Sequence, residues 1–338
     1  SLKDLTYPLF RLGVNYQAAQ ATYIRGSFGQ GFRYPSIAEL YVTTSLGAVS
    51  IYPNEKLKPE KGYSAEIGIK QGFKIGESVV GYVDAAGFWN LYQNMMEVMF
   101  AQFGPNNGIP NTWGLGFSSQ NIGDARILGA DIAVGAQATV KDVQFNFLVG
   151  YTFINTKALN WDKPLTLYNS EGDTIRPNDN GIGMAANNNA NAPAGIDTMQ
   201  QITYGMLSSS SSNQLKYRPA HQLKLILGIV HKKFDVQLDY QFIAYQKNID
   251  YAFVSPFFNY IAPITGVYAF KALTEYRQAK EAAGYRGDNI VNISLGYKPI
   301  EAFKIAFIIK NVANWEWMAR PGMFQAPRNY TLQLSYQF

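Results

Sequence analysis

Few residues in this chain could do covalent chemistry. It has two histidines and no cysteine. His221 and His231 flank one alternating apolar segment, which holds them far apart, and no second ligand stands at metal spacing from either. No G-x-S-x-G, H-E-x-x-H or phosphate-binding loop occurs. The reading is therefore no catalytic residue, no metal, no cofactor and no enzyme. Binding chemistry remains. Trp113, Phe117, Tyr168, Tyr204, Tyr251, Phe257, Phe258, Tyr260, Trp315 and Trp317 are aromatic side chains in stretches that read as loops. Loops on a rigid scaffold are where binding residues concentrate. These aromatics could grip an apolar or sugar cargo, or pack the loops against one another, and both readings stand.

The elements that hold such loops are strands. The last dozen residues set the pattern: Tyr330, Leu332, Leu334, Tyr336 and Phe338 alternate with Asn329, Thr331, Gln333, Ser335 and Gln337. Period-2 alternation puts the two sets on opposite faces. The same pattern recurs at Leu9–Gln17, Ala21–Gly29, Tyr63–Phe73, Val79–Asn90, Ile127–Thr139 and Val143–Asn155. It returns at Leu223–Ile229, Phe234–Phe242, Val291–Tyr297 and Phe303–Ile309, for about eleven strands in all. Their connections alternate, short then long. In the fourth long connection, Tyr268–Ala283 reads as a helix with Gly284 as its stop, and could belong to a lid. In the third, the tracts AANNNANAPAG and SSSSSN read as a segment that buries no core.

Composition narrows the solvent. Charged residues make up 16% and aromatics 14%, against about 25% charge in an average chain. No run of about 18 apolar residues occurs, so no transmembrane helix is expected. Low charge, many aromatics and alternating strands with short and long connections fit an all-β, antiparallel membrane barrel. Its tight turns would be periplasmic and its long loops extracellular. The apolar face would meet lipid and lipopolysaccharide. Gln144, Asn146, Asp235, Asp239, Asn292, Lys304 and Gln333 would line a wet or plugged interior. Tyr16, Tyr151, Tyr240, Tyr297, Tyr336 and Phe338 suit the interfacial aromatic belts. The net charge of +5 is scattered, which argues against a nucleic-acid partner.

Three stretches carry a resemblance. RGSFGQGFRYPSIAELY contributes Arg25, Ser27, Gly29, Gly31, Phe32, Arg33, Pro35, Ser36, Glu39 and Leu40. NEKLKPEKGYSAEIG contributes Asn54, Leu57, Lys58, Pro59, Glu60, Glu66 and Gly68. The third runs through Asn311, Arg320-Pro321-Gly322, Pro327-Arg328 and the terminal Tyr336-x-Phe338. In this order they resemble the barrel of TonB-dependent outer-membrane receptors.

The resemblance implies a 22-stranded barrel. Residues 1–338 would be its C-terminal half, with the plug, TonB box and first strands lying outside this chain. It also implies import of a scarce solute, such as a ferric siderophore, haem or a vitamin, coupled to the TonB complex. A glycan or peptide importer with a surface lipoprotein lid, or a structural or secretion component, are the alternatives. Tyr336 and Phe338 resemble the signal read by the barrel-assembly machinery. Arg33, Glu39, Glu60 and Glu66 could bind cargo. The weightier reading is that they tie loop–strand junctions and wall together through charge pairs.

Overall fold

The computed structural model describes residues 8–46, 49–104, 114–175, 202–254, 277–320 and 323–337. In chain order the first strands are β1 (Arg11–Ala19), β2 (Thr22–Arg33), β3 (Thr44–Leu46) and β4 (Val49–Tyr52), with helix α1 (Ile37–Tyr41) after β2. Next come β5 (Glu60–Ile75), β6 (Val79–Gln93), β7 (Met96–Gln102), β8 (Leu115–Asn121), β9 (Ala125–Val140) and β10 (Val143–Ala158). Then follow β11 (Pro164–Leu165), β12 (Ile202–Thr203), β13 (His221–His231) and β14 (Phe234–Ala244). The last are β15 (Gly287–Ile300), β16 (Phe303–Lys310) and β17 (Asn329–Tyr336).

Eleven of these form one antiparallel sheet, in the order β1-β2-β5-β6-β9-β10-β13-β14-β15-β16-β17. Every sheet neighbour is therefore the next of these eleven strands along the chain, as in an up-and-down barrel wall. Among the described residues the sheet does not close on itself; β1 and β17 are its two edges. Each of the eleven coincides with an alternating segment of the sequence. Short turns join β1–β2, β5–β6, β9–β10, β13–β14 and β15–β16, and long connections join the others. Four short turns hold a residue at positive φ: Ala21, Gly76, Lys141 and Lys232. Tight hairpins require that geometry, and only Gly76 adopts it without a Cβ penalty.

The wall turns its apolar side chains outward. Phe10, Leu12, Ile67 and Leu332 are 65–71% exposed, the expected surface for contact with lipid. Polar side chains pair on the other face. Arg25 of β2 bridges Glu66 of β5 at 2.9 Å and Asp84 of β6 at 2.7 Å. Arg25 sits opposite Gly68 in the register, and a Cβ there would stand 2.8 Å from the guanidinium carbon. The Glu66-x-Gly68 spacing thus supplies both the counter-charge and the room for Arg25. Lys304 and Asp235 pair at 2.7 Å. The Thr152 hydroxyl donates to Asp131 at 2.6 Å.

The long connections hold structure that the alternation does not announce. β3, β4, β8 and β7 form a four-stranded sheet in which β4 and β8 run parallel. β11 and β12 pair separately. The core lies here: Met95, Met99, Phe103, Ile122, Leu167, Ile202, Tyr204, Leu207 and Leu215 form a buried cluster. This corrects the reading of the third connection as coreless. Its 202–217 part is packed, and Ser208 of the serine tract is fully buried and donates to the Tyr204 carbonyl at 2.8 Å. Short hydroxyl side chains can be buried when their bonds are met inside the chain. AANNNANAPAG lies outside the described residues. In the fourth connection a helix covers 277–282 and ends at Gly284, at φ +90°. The remainder of the expected helix, 268–276, lies outside the described residues.

Candidate functional site on the long-loop side

A cavity of about 560 Å³ opens among the long connections. All five contribute. Ala38, Glu39, Ile51 and Tyr52 come from the β2–β5 connection, and Val98, Phe117, Ser118 and Ser119 from the β6–β9 connection. Tyr217 comes from β10–β13, Asp250 and Phe253 from β14–β15, and Arg320 and Met323 from β16–β17. Most of this lining is apolar. The volume falls within the roughly 300–1,000 Å³ of small-molecule sites.

Each wall is positioned locally. Ser36 caps α1: its Oγ accepts the Glu39 N–H at 3.2 Å, while the Glu39 carboxylate accepts the Ser36 N–H at 2.8 Å. This capping box fixes the Glu39 carboxylate, which also meets Arg33 at 2.5 Å. Burial alone would raise the Glu39 carboxyl, but the Ser36 bonds and Arg33 outweigh it and hold the carboxyl below its ordinary value. Asn54 Nδ2 donates to the Ser119 carbonyl and to Gln120 Oε1, both at 3.0 Å, which ties the β4 connection to β8.

Behind the cavity is a buried polar cluster. Lys216 Nζ meets Asp250 Oδ1 at 2.7 Å, with side chains 0% and 3% exposed. The Tyr217 hydroxyl donates to Asp250 Oδ2 at 2.6 Å. The Lys216 ammonium also lies 4.7 Å from the Tyr204 ring centroid. Burial, then the adjacent Asp250, pushes the Tyr217 phenol well up; burial, then Glu97, does the same to Tyr204. Both stay neutral donors at physiological pH. Glu97 is buried, and neither carboxylate oxygen makes a hydrogen bond of good geometry. Burial raises its carboxyl more than the Lys216 charge and the Tyr204 hydroxyl lower it. The cluster can hold loops together and present a charge-balanced floor. Among the described residues no group of His, Asp and Glu is arranged to hold a metal.

Residues 3–312 match the family described as TonB dependent receptor-like, beta-barrel. The chain belongs to this family of Gram-negative outer-membrane proteins. No curated protein sequence matches it. Its fold is similar to the Serratia marcescens hemophore receptor HasR, solved as a double mutant with its hemophore HasA and heme. That match has a TM-score of 0.55 and 13% identity, over 98% of this chain and 39% of that one. The ferric-catecholate import receptor Fiu from K12 E. coli gives 0.52 and 14%, over 97% and 34%. The copper transporter OprC gives 0.51 and 11%, over 97% and 39%. The receptor-barrel chain thus spans about two-fifths of the length of the solved proteins it resembles.

Within this receptor barrel the loop aromatics separate. Phe117 lines the cavity and stacks edge-on with Phe100 at 4.9 Å. Tyr204 is fully buried in the loop core and packs the loops together. Tyr168 is tied by its backbone to the Gln120 side chain at 2.9 and 3.1 Å. The Tyr251 N–H donates to the Leu207 carbonyl at 2.9 Å. Trp315 lies apart from the cavity: its Nε1–H donates to Asp288 at 2.9 Å, and the Lys280 ammonium lies 3.9 Å from its ring centroid. Trp317 lines a smaller recess beside Tyr245 and Arg277. Burial, then Asp288, pushes the Tyr245 phenol up to about 12. Trp113, Phe257, Phe258 and Tyr260 lie outside the described residues, as does Phe338.

The motif residues occupy junctions. Glu60 accepts the Met96 N–H at 2.8 Å, joining β5 to the start of β7. Asn311 is buried at φ +51°; its Oδ1 accepts the Trp315 N–H at 2.7 Å and its Nδ2 donates to the Trp315 carbonyl at 2.8 Å. Arg328 donates its N–H to Asn314 at 2.9 Å. Phe32 meets Tyr34 edge-on at 4.6 Å. Gly31 lies at the loop-side end of β2, Pro35 precedes the Ser36 cap, and Leu57 and Pro59 lead into β5. Tyr336 ends β17 on the short-turn side and is exposed. Sequence reasoning passed over Lys216, Asp250, Ile51, Val98, Phe253 and Met323. A lone Lys in QLKY and a lone Asp in NIDY, both in apolar surroundings, were the available signal.

Proposed function

We propose that the chain forms the C-terminal part of a 22-stranded TonB-coupled importer, preceded by a plug and further strands. In this reading the loop-side cavity receives a scarce solute before passage through the barrel. The observation that carries it is the convergence of all five long loops on one apolar-walled cavity, above a wall of this family's design. A small-molecule cargo such as a metal chelate or haem suits the cavity better than an extended chain would. Three structurally similar proteins, a hemophore receptor, a ferric-catecholate import receptor and a copper transporter, support the same direction. TonB would engage the plug-bearing part, and the barrel-assembly machinery would read the C-terminal strand.

Two measurements test this. The native protein should have an intact mass well above the 37.7 kDa of these residues. A strain lacking the gene should lose growth on haem, a ferric siderophore or cobalamin as sole source, and a strain lacking TonB should lose it equally. Growth lost only on a glycan or peptide would move the protein to the lipoprotein-lidded importers. Uptake that persists without TonB would end the reading.

A further inference from the structure

The charges around the loop-side cavity do not balance. Among the described residues three charged side chains line it: Glu39, Asp250 and Arg320. Glu39 is satisfied by Arg33 and Ser36. Asp250 is satisfied by Lys216 and the Tyr217 hydroxyl. Arg320 lies with its guanidinium carbon 5.2 Å from the Tyr217 ring centroid and pairs with no carboxylate among the described residues. The ring restrains the guanidinium in place but leaves its positive charge uncompensated. The facing walls are Ile51, Val98, Phe117, Phe253 and Met323, which offer no hydrogen bonds from their side chains.

A ligand filling this space would displace water from Arg320. Burying an unpaired charge is costly, whereas a guanidinium meeting a carboxylate or phenolate gains a charge-assisted and often bidentate bond. We infer that the cavity selects a compact, largely apolar ligand carrying an anionic oxygen group, and that Arg320 determines this selectivity. The inference rests on reading the cavity as the cargo site and adds the sign of the cargo's charge. Bare cations and uncharged sugar chains are the wrong partners for it: the first meets a cation, the second leaves that cation unpaired.

The test uses the full-length protein in lipid nanodiscs with a matched probe pair, 2-naphthoate and 2-naphthamide, titrated by ligand-observed NMR. These probes share a shape and differ in charge. The wild-type protein should prefer the anion by on the order of tenfold. Arg320→Gln should remove that preference by weakening naphthoate far more than naphthamide, while Arg320→Lys should keep part of it. Arg320 is an exposed loop residue, so the variants should fold, and heat-modifiable gel mobility checks this. Phe117→Ser should weaken both probes alike. Equal affinity for the two probes, a preference that survives Arg320→Gln, or no binding of either probe would overturn the inference. Failure here is separable from failure of the import reading. TonB-dependent uptake of an uncharged cargo would keep import and sink the selectivity. An Arg320-dependent anion preference without TonB-dependent uptake would do the reverse.

Discussion

The wall and the loop cluster are opposite solutions made from one chain. In the wall, Leu12, Ile67 and Leu332 point outward at 65–69% exposure, while Arg25, Glu66, Asp84, Asp235 and Lys304 pair on the other face. In the loop cluster the arrangement is that of a water-soluble domain: Met99, Phe103, Ile122 and Leu215 are 0–1% exposed and form a core. The difference comes from the solvent on each side. A hydrocarbon solvent gives apolar side chains no reason to be buried but forces every backbone group into a ladder. Water does the reverse, and the loops respond by packing. The buried Lys216–Asp250 pair belongs to the second regime. Such pairs contribute little net stability but are costly to break from one side.

The largest effect should therefore come from breaking that pair. Lys216→Met leaves Asp250 buried without its cation, at a cost of about 3–5 kcal/mol. The loss should be confined to the loops. Limited proteolysis of the full-length protein should cut the 202–254 region faster, while heat-modifiable mobility of the barrel stays as in the wild type. If barrel mobility fell in step, the two regions would be one cooperative unit and the contrast would fail. Next is the converse experiment in the wall. Leu332→Arg places a charge on the lipid face, at about 2–4 kcal/mol near the bilayer midplane. Gln333→Arg, one residue along and on the opposite face, should cost far less. Urea titrations of folding into vesicles compare them, and equal losses would contradict the face assignment.

The same contrast explains what could be read from the sequence. The eleven wall strands were legible because a strand with lipid on one face and polar groups on the other must alternate, as Phe145, Phe147 and Val149 do against Gln144, Asn146 and Gly150. Arg25 and Glu66 were visible as members of two separate motifs, but their pairing beside Gly68 needed the register. The loop core was not legible. Its loop members come from two long connections, and no period links Met99 to Leu167 or Leu215. The serine tract next to them lowers the local hydrophobicity and hides that Met206 and Leu207 are buried. The parallel β4–β8 pairing joins residues more than 60 positions apart in sequence, with nothing local to announce it. The cavity inherits this, because each loop brings only one to four residues to it.

Acidity should separate the two regions more gently. Glu97 is buried beside Tyr204 and Lys216, with Asp250 and Arg218 also acting on it, and its carboxyl is raised above the ordinary 4.5. Between the unfolded and the raised folded value, the folded loops bind the extra proton. Stability therefore falls as pH rises through that window and is flat beyond it. Hydrogen exchange of the loop-core amides should slow from pH 8 to pH 5 by more than the intrinsic chemistry accounts for, with no matching change in β9 or β10. Glu97→Gln should flatten the loop response. A response that persists in that variant would assign the effect to another group.

The smallest effect expected is at the boundary between the regions. Arg33 ends β2 and Glu39 lies in the first turn of the helix that lines the cavity, so their 2.5 Å pair is where wall meets loop. The Arg33 side chain is 49% exposed and Glu39 18%. A partly solvated pair contributes about 0.2–1 kcal/mol. Glu39 keeps its Ser36 bonds when Arg33 is removed, so Arg33→Ala should leave α1 capped. Glu39→Ala removes the pair and the carboxylate half of the capping box, keeps the Ser36 Oγ bond to the residue-39 N–H, and should cost about 0.5–1 kcal/mol more. Comparing the two by protease sensitivity of the 34–59 connection separates charge from cap. If Arg33→Ala proved as damaging as Glu39→Ala, the charge pair and not the cap would be what fastens this loop to the wall.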